Sequence, residues 1–506
     1  MKNIIKKTLM VLLVVQLVST SCTDGFEEIN TNPNQTEIVT NPGLLLPGVI
    51  RSSMDDYYTG AFRRGNVVAD YLSNQFVSAF DWNPNEATEY FLWTFYENLR
   101  DLQTMADIAE EKDLKNFQGV ALVMKSFFFQ NMTDIYGEIP YSEATSAKSD
   151  GLNFPKYDTQ EEIYTGILSD LELANTLLST SNGAVTGDIL FNGDVTKWKK
   201  FANSLRLRCL MRRSDRVDPS ADMQQIVGDP ATYPIFTEND DQAALQYLDE
   251  LGNEYPRYRS AVGQFVTSTH ASKTMVDILS GLSDPRLFVF ALPTESTAGS
   301  ASPEYVGVPN GILNEDAFNG GQANQSNAGL LWAPLDYDPE LASPTAVQSV
   351  MMTFSEVQLI LAEAAERGFI TGDAEAFYLS GIQAQFDYYA SRIPDNYTFP
   401  TAADVQPDPS YFAQADVSYT GTQQEKLDKI ALQKWLTLFN NGYEGWSEWR
   451  RTGIPNIVAG PASLGFVPVR HLYPLSEQGL NKDNYDAAVA RQGADNTQTK
   501  VWWDVD

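Results

Sequence analysis

The chain has 506 residues, of which 43% are hydrophobic and 12% aromatic, enough to bury a sizeable core and too apolar for a disordered polymer. Its formal charge is −31, with 66 acidic against 35 basic residues. Such a field repels nucleic-acid phosphates, which are bound through Lys and Arg, and keeps the body soluble. In chain order, Lys2, Lys6 and Lys7 precede a short apolar run from Leu9 to Val18. Ser19-Thr20-Ser21-Cys22 follow. A basic flank, a short apolar core and small residues predict an export signal over residues 1–21. A membrane span would need about 20 apolar residues, and no later stretch supplies them.

Cys22 after the small residues resembles the lipobox of bacterial lipoproteins, with Ser19 in place of the usual Leu. The resemblance implies that Cys22 is lipidated and becomes the mature N-terminus. Residues 22–47 are polar and turn-rich, with Asn32-Pro33-Asn34 and Asn41-Pro42-Gly43, and are expected to form a tether.

Helical patterns dominate residues 48–227. Gly119 to Asp134 is a long apolar stretch containing Phe127, Phe128 and Phe129, and it ends in the turn chemistry of Tyr136-Gly137-Glu138-Ile139-Pro140. Thr159 and Glu162 have capping-box spacing before Ile163, Ile167, Leu171 and Ala174, which marks a helix start. Lys197, Lys199, Lys200, Arg206, Arg208, Arg212 and Arg213 interleave with Trp198, Phe201, Ala202, Leu205 and Cys209 at helical spacing. This predicts an amphipathic helix whose charged side pairs with the acidic body; a polyanion site is the second reading. Cys209, on the apolar stripe, reads as a small buried hydrophobe.

Residues 228–345 are rich in Gly, Asn, Ser, Asp and Pro and read as a loop-rich region with short strands. Leu287–Leu292 is the strand candidate, and Ser296–Pro334 reads as long loops. Binding commonly resides in such loops. Helix returns over residues 346–452. Thr353 and Glu356 repeat the capping-box spacing before Val357, Ile360, Leu361 and Ala364, and Gly368 stands where the helix should stop. A second helix begins near Ala374, so the pair has tetratricopeptide-like proportions. A third helical block covers Lys426–Asn440, and the chain from Gly453 onward reads as irregular.

Catalytic and metal signatures are scarce. The only histidines are His270 and His471, and no H-E-x-x-H, C-x-x-C, P-loop or G-x-S-x-G pattern occurs. No cofactor is expected. The many carboxylates leave a chance pair for glycoside hydrolysis open without pointing to one. Aromatic residues beside amides and acids in loops offer more: Asp81-Trp82-Asn83-Pro84-Asn85, Tyr57-Tyr58, Tyr305 and Trp332. A flat ring stacks on a sugar's C–H face or a peptide side chain while neighbouring amides satisfy polar groups. Trp82, Asn83, Tyr305 and Trp332 are therefore the candidate ligand residues, each aromatic having a second reading as filler between loop and scaffold. Trp435, Trp446 and Trp449 lie in or beside helical runs and read as core.

Several segments share a pattern in one order. They are Phe26-Glu27-Glu28-Ile29-Asn30-Thr31-Asn32-Pro33-Asn34, Thr133 to Tyr141, Gly193 to Arg208, Asp284-Pro285-Arg286-Leu287, Arg450 to Pro455, and Thr499 to Asp504. Together they resemble the SusD/RagB family of Bacteroidetes outer-membrane lipoproteins, nearly end to end. The resemblance implies a mainly α, SusD-like fold over residues 48–506, with a scaffold of tetratricopeptide-like helix pairs. It implies an outer-membrane, surface-exposed protein without enzymatic activity that captures an oligosaccharide or oligopeptide. Its implied partner is a SusC-like TonB-dependent transporter, which the lipoprotein covers as a lid. A surface glycan-degrading enzyme or an adhesin is the alternative.

Overall fold

The computed structural model describes residues 39–74, 92–256, 269–329, 331, 343, 345–439 and 441–505. Cys22 and the export signal lie outside them. Regular structure begins with a single 3-10 turn at Pro42–Leu44, inside the stretch expected to be a tether. The principal helices in chain order are α1 (Leu46–Gly60), α2 (Phe95–Glu111), α3 (Lys115–Tyr136), α4 (Gln160–Leu177), α5 (Val195–Arg212) and α6 (Ser220–Gly228). After them come α7 (Lys273–Gly281), α8 (Leu287–Phe290), α9 (Phe354–Glu366), α10 (Ala374–Ala390), α11 (Gln423–Thr437), α12 (Gly442–Thr452), α13 (Leu475–Leu480) and α14 (Lys482–Gln492). Among the described residues the strands are short and pair as antiparallel twos: β1 (Leu72–Asn74) with β5 (Thr269–Ala271), β2 (Ile139–Pro140) with β3 (Tyr157–Asp158), and β4 (Ala243–Gln246) with β6 (Gln348–Met352). The fold is mainly α.

Successive helices pack as pairs: α2 on α3, α3 on α4, α4 on α5, and α9 on α10, with α11 laid against α9. Helix α3 is the centre. From Ser126 to Tyr136 every residue is buried, polar and apolar alike, so the helix is enclosed on all sides. Two glycines permit the tight joints around it. Gly137 ends α3 at φ +82°, and a Cβ there would meet Gln492 Oε1 at 1.7 Å. Gly442 opens α12, and its absent side chain lets the backbone of Gly65 and Asn66 approach, where a Cβ would lie 2.0 Å from the Asn66 nitrogen.

Both capping-box spacings start helices, in different ways. At α4 the box is reciprocal: Thr159 Oγ1 accepts from the Glu162 N–H and Glu162 Oε2 accepts from the Thr159 N–H. At α9 Thr353 Oγ1 accepts from the Glu356 N–H at 3.0 Å, but the Glu356 carboxylate turns inward to Arg208. Helix α5 explains why. Lys197, Lys200, Arg206, Arg208 and Arg212 each pair with a carboxylate, which favours the paired face over a polyanion site. The arginines are buried, so they bind neighbouring helices together and not solvent. Arg208 donates to both Glu356 oxygens at 2.6 and 2.7 Å and to the Met351 carbonyl at 2.7 Å. Arg212 pairs with Glu444 of α12 and lies 3.5 Å from Asp134 of α3. Glu448 binds Lys434 at 3.0 Å and Arg451 at 2.5 Å. Burial opposes charge on Glu448, and Arg451 and Lys434 overcome it, so its carboxyl stays below the usual range. Cys209 is buried among these helices, and burial pushes its thiol up, as befits a core residue.

Two expectations are corrected. Leu287–Phe290 is the short helix α8, not a strand. Asp284 Oδ1 accepts from the Arg286 N–H at 2.9 Å, and the Arg286 carbonyl accepts from the Phe290 N–H at 2.9 Å, so the Asp-Pro start drives a helical turn. The C-terminal part is also not wholly irregular, because α13 and α14 occupy most of 475–492. Only Ala488 of α14 is fully buried, so apolar periodicity had little to reveal there. Among the described residues no helix is long and apolar enough to cross a membrane.

Candidate ligand-binding face

The Asp284-Pro285-Arg286-Leu287 segment is the foundation of the loop-rich side. Arg286 is fully buried and forks onto Asp284, with Nη2 to Oδ2 at 2.6 Å and Nε to Oδ1 at 3.0 Å. The same guanidinium donates to Tyr411 Oη at 3.0 Å, to Gln433 Oε1 at 2.8 Å and to Gln385 Oε1. It also lies over the Phe386 ring. One guanidinium thus satisfies acceptors from three helical segments, and it fixes the direction in which α8 leaves. The product is the placement of Phe288, the half-buried outward residue of α8. Its ring lies 6.0 Å from Tyr305 and 5.1 Å from Phe399, tilted by 45° and 59°. Phe399 is 45% exposed, and Tyr305 is half-buried against the core. The three rings form an aromatic ledge open to solvent.

Extended backbone holds Tyr305 in place. The Thr294 N–H donates to the Glu304 carbonyl at 2.8 Å, and the Ser326 N–H donates to the Val306 carbonyl at 2.9 Å. The stitching continues from the Ala271 N–H to the Ser326 carbonyl, from the Leu292 N–H to the Asn327 carbonyl, and from the Ala328 N–H to the Thr269 carbonyl. Asn74 faces Thr269 in the β1–β5 pair. Asn74, Thr269 and Ala328 therefore lie together.

Beneath these strands is a buried polar cluster. Ser73 and His270 are opposite partners in the β1–β5 pair and are both fully buried. His270 Nδ1 meets Asn327 Oδ1 at 3.1 Å, while Nε2 lies 3.7 Å from Asp316 Oδ1. Burial holds the His270 imidazole below its ordinary pKa, so it is neutral near pH 7. Glu315 is pushed up to about 7 by burial, against a lowering contact from Ser73. Asp70 is raised to about 6 by burial, opposed by hydrogen bonds from Thr274 at 2.5 Å and Asn310 at 2.6 Å. These carboxyls cross-link β1 to the segments around residues 273 and 310. They serve as internal clamps between these segments.

Of the candidate ligand residues, Tyr305 lies on the ledge. Trp82, Asn83 and Trp332 lie outside the described residues. Tyr57 and Tyr58, read from the sequence as loop aromatics, sit instead in α1 and are buried; the Tyr57 hydroxyl bonds Asn441. Their i, i+1 pair hides the helix because α1 turns them toward different neighbours: Phe127 meets Tyr57, and Tyr255 meets Tyr58. Trp435 and Trp446 are core, as expected, with indole N–H groups donating to the carbonyls of Ala69 and Pro468. His471 is buried and held down to about 3 by burial, its backbone N–H bonded to Ile135. Sequence reasoning missed Phe288 and Phe399. Phe399 carried a usable signal, since Pro394-Asp395-Asn396-Tyr397-Thr398-Phe399-Pro400 repeats the aromatic-beside-amide pattern that singled out Trp82. Phe288 carried none, because its outward direction depends on α8 being a helix. Among the described residues no group of three or more His, Cys, Asp or Glu is arranged to hold a metal ion.

Residues 33–474 match the SusD-like family model described as starch-binding and associating with the outer membrane. A search of curated proteins gives no match. Solved structures do match. An outer membrane protein of Bacteroides vulgatus, described as involved in nutrient binding, is 29% identical, with a TM-score of 0.79 over 92% of this chain and 100% of that one. A protein described as chitin-binding is 30% identical, with a TM-score of 0.76 over 92% of this chain and 100% of that one. A SusD homologue of Bacteroides fragilis is 26% identical, with a TM-score of 0.77 over 93% of this chain and 99% of that one. The expected helical SusD-like fold is the fold observed.

Proposed function

The chain belongs to the SusD-like family, and on that premise we propose that it is a non-enzymatic capture protein that binds an oligosaccharide at the cell surface. It hands the ligand to a SusC-like TonB-dependent barrel, over which it closes as a lid. The observation that carries this reading is the Phe288–Tyr305–Phe399 ledge, built on the buried Arg286 network. Flat rings at fixed tilts suit the C–H faces of successive sugar units. A rigid support keeps the ordering cost of binding low. A relative of 30% identity described as chitin-binding makes β-linked N-acetylglucosamine oligomers the first ligands to try. Lipidation at Cys22 holds the body at the outer membrane, in keeping with the family's description. Closure over the barrel is favoured by ligand contacts made only in the closed state.

The test is calorimetric titration of the purified protein with chitin, starch and cello-oligosaccharides, and with a peptide of similar length. Phe399→Ala should weaken saccharide binding about two- to tenfold, as expected for loss of a stacking contact of about 0.5–1.5 kcal/mol, at unchanged melting temperature. Cleavage of the saccharide by the purified protein, or equal binding by the Phe399→Ala variant, overturns the reading. So does purification from the native membrane without a barrel partner.

A further inference from the structure

A second concavity lies away from the aromatic ledge, where the start of α4, the end of α14 and the last turn of the chain meet. It encloses about 810 Å³, within the range of small-ligand sites. In a chain of charge −31, its wall gathers three cations, Arg216, Arg491 and Lys500, around Trp502. Two of them are already engaged. Arg491 binds Glu138 at 2.5 Å and the Tyr157 carbonyl at 3.0 Å, and Lys500 lies 3.2 Å from Asp504. Arg216 differs. Its Nε donates to the Trp502 carbonyl at 2.6 Å. Among the described residues no carboxylate pairs with its guanidinium, so both Nη groups remain available.

The Trp502 side chain packs partly against the core and leaves the rest of its ring to solvent. Its neighbours Val501 and Trp503 are buried. The Trp503 indole donates to Asp134 at 2.7 Å, and its backbone N–H donates to Gln160 Oε1 at 3.2 Å. These contacts pin the backbone on the core and turn Trp502 outward, half-exposed. Among the described residues the Trp502 indole N–H has no hydrogen-bond acceptor. An unpaired guanidinium is thus fixed beside an unstacked indole by a single backbone carbonyl. Across the groove Glu161 offers an exposed carboxylate for hydroxyl groups. Glu138, Glu161 and Asp504 balance the three cations, so the wall as a whole is neutral.

We propose that this groove is a second saccharide site, selective for a sugar unit bearing one carboxylate. The acid accepts the forked N–H groups of Arg216, the geometry that suits a planar carboxylate, and the ring's C–H face lies on Trp502. The wall, neutral as a whole, favours a ring bearing one carboxylate over a polysulfated ring bearing several anions.

The test uses the mature protein titrated with trigalacturonate and with neutral galactotriose, read by tryptophan fluorescence and calorimetry at low and moderate salt. The expected result is measurable binding of trigalacturonate only, weakened by salt and weakened about tenfold or more by Arg216→Gln. Arg216 is exposed and its Nε alone is bonded, so the variant should fold normally; an unchanged circular dichroism spectrum checks this. Phe399→Ala should leave trigalacturonate binding intact, which separates this groove from the ledge. Absence of trigalacturonate binding at millimolar concentration, equal affinity for galactotriose, or insensitivity to Arg216→Gln overturns the proposal. A short peptide with a free C-terminal carboxylate binding as tightly as trigalacturonate overturns its saccharide selectivity.

Discussion

Removing Arg208 tests whether the helix pairs are joined by buried charge. Arg208 and Glu356 are both fully buried, and the guanidinium meets both carboxylate oxygens and the Met351 carbonyl. Arg208→Met keeps most of the volume but strips Glu356 of its fork and leaves a buried carbonyl unbonded. Breaking one side of such a pair costs about 3–5 kcal/mol. Glu444, 3.8 Å from Arg208, keeps Arg212 and so limits the damage to one carboxylate. Burial already raises the Glu356 carboxyl above its usual value, against Arg208. Without Arg208 it rises further, and the folded variant then binds a proton that the unfolded chain releases above about pH 4.5. Stability of the variant relative to wild type therefore falls as pH increases from 5 to 8. Urea denaturation at both pH values measures this. Arg208→Met with Glu356→Leu should recover most of the loss, since a well-packed apolar pair is often as stable as a buried ion pair. A single variant within about 1 kcal/mol of wild type at pH 8 would refute the reasoning, well short of the loss that a buried unpaired carboxylate entails. So would a double variant with the full sum of the single losses.

Glu315→Gln should change the pH profile instead of the pH-independent stability. Its folded carboxyl titrates near 7 because of burial, so wild type loses up to about 3 kcal/mol as pH rises from 4.5 through 7. The amide removes that dependence, so the variant should melt higher than wild type above pH 7 and alike near pH 4; parallel profiles would sink the idea. Gly137→Ala should cost more than about 2 kcal/mol, because φ is +82° and the new Cβ collides with Gln492 Oε1, which accepts from the Glu138 N–H. A denaturation midpoint equal to wild type would contradict it. Cys22→Ala should fold normally and be lost from the membrane fraction; retention there would refute lipidation.

Local chemistry made much of the scaffold legible. The Thr159–Glu162 box, the apolar run along α4, the Gly368 stop at φ +78° and the start of α10 near Ala374 all depend on neighbours within a few residues. The candidate face was less legible, because a side chain's direction there follows from contacts across the fold. Tyr305 was readable from its composition-rich loop. Phe288 was not, since Arg286 sets α8 through Gln385 and Gln433, far along the chain. Glu356 shows both sides: its backbone obeys the box that its spacing announces, while its carboxylate obeys Arg208.

Sequence by itself determined the helical class, the caps, the buried fate of Cys209, Trp435 and Trp446, and the family resemblance. Each rests on periodicity, turn chemistry or motif order, which are carried along the chain. Only the tertiary structure decided that the arginines of α5 face inward, that Tyr57 and Tyr58 belong to the core, and that Phe288, Tyr305 and Phe399 share one ledge. Each of these is a contact between distant residues, and burial reassigns a side chain's charge and direction only when the distant partner arrives.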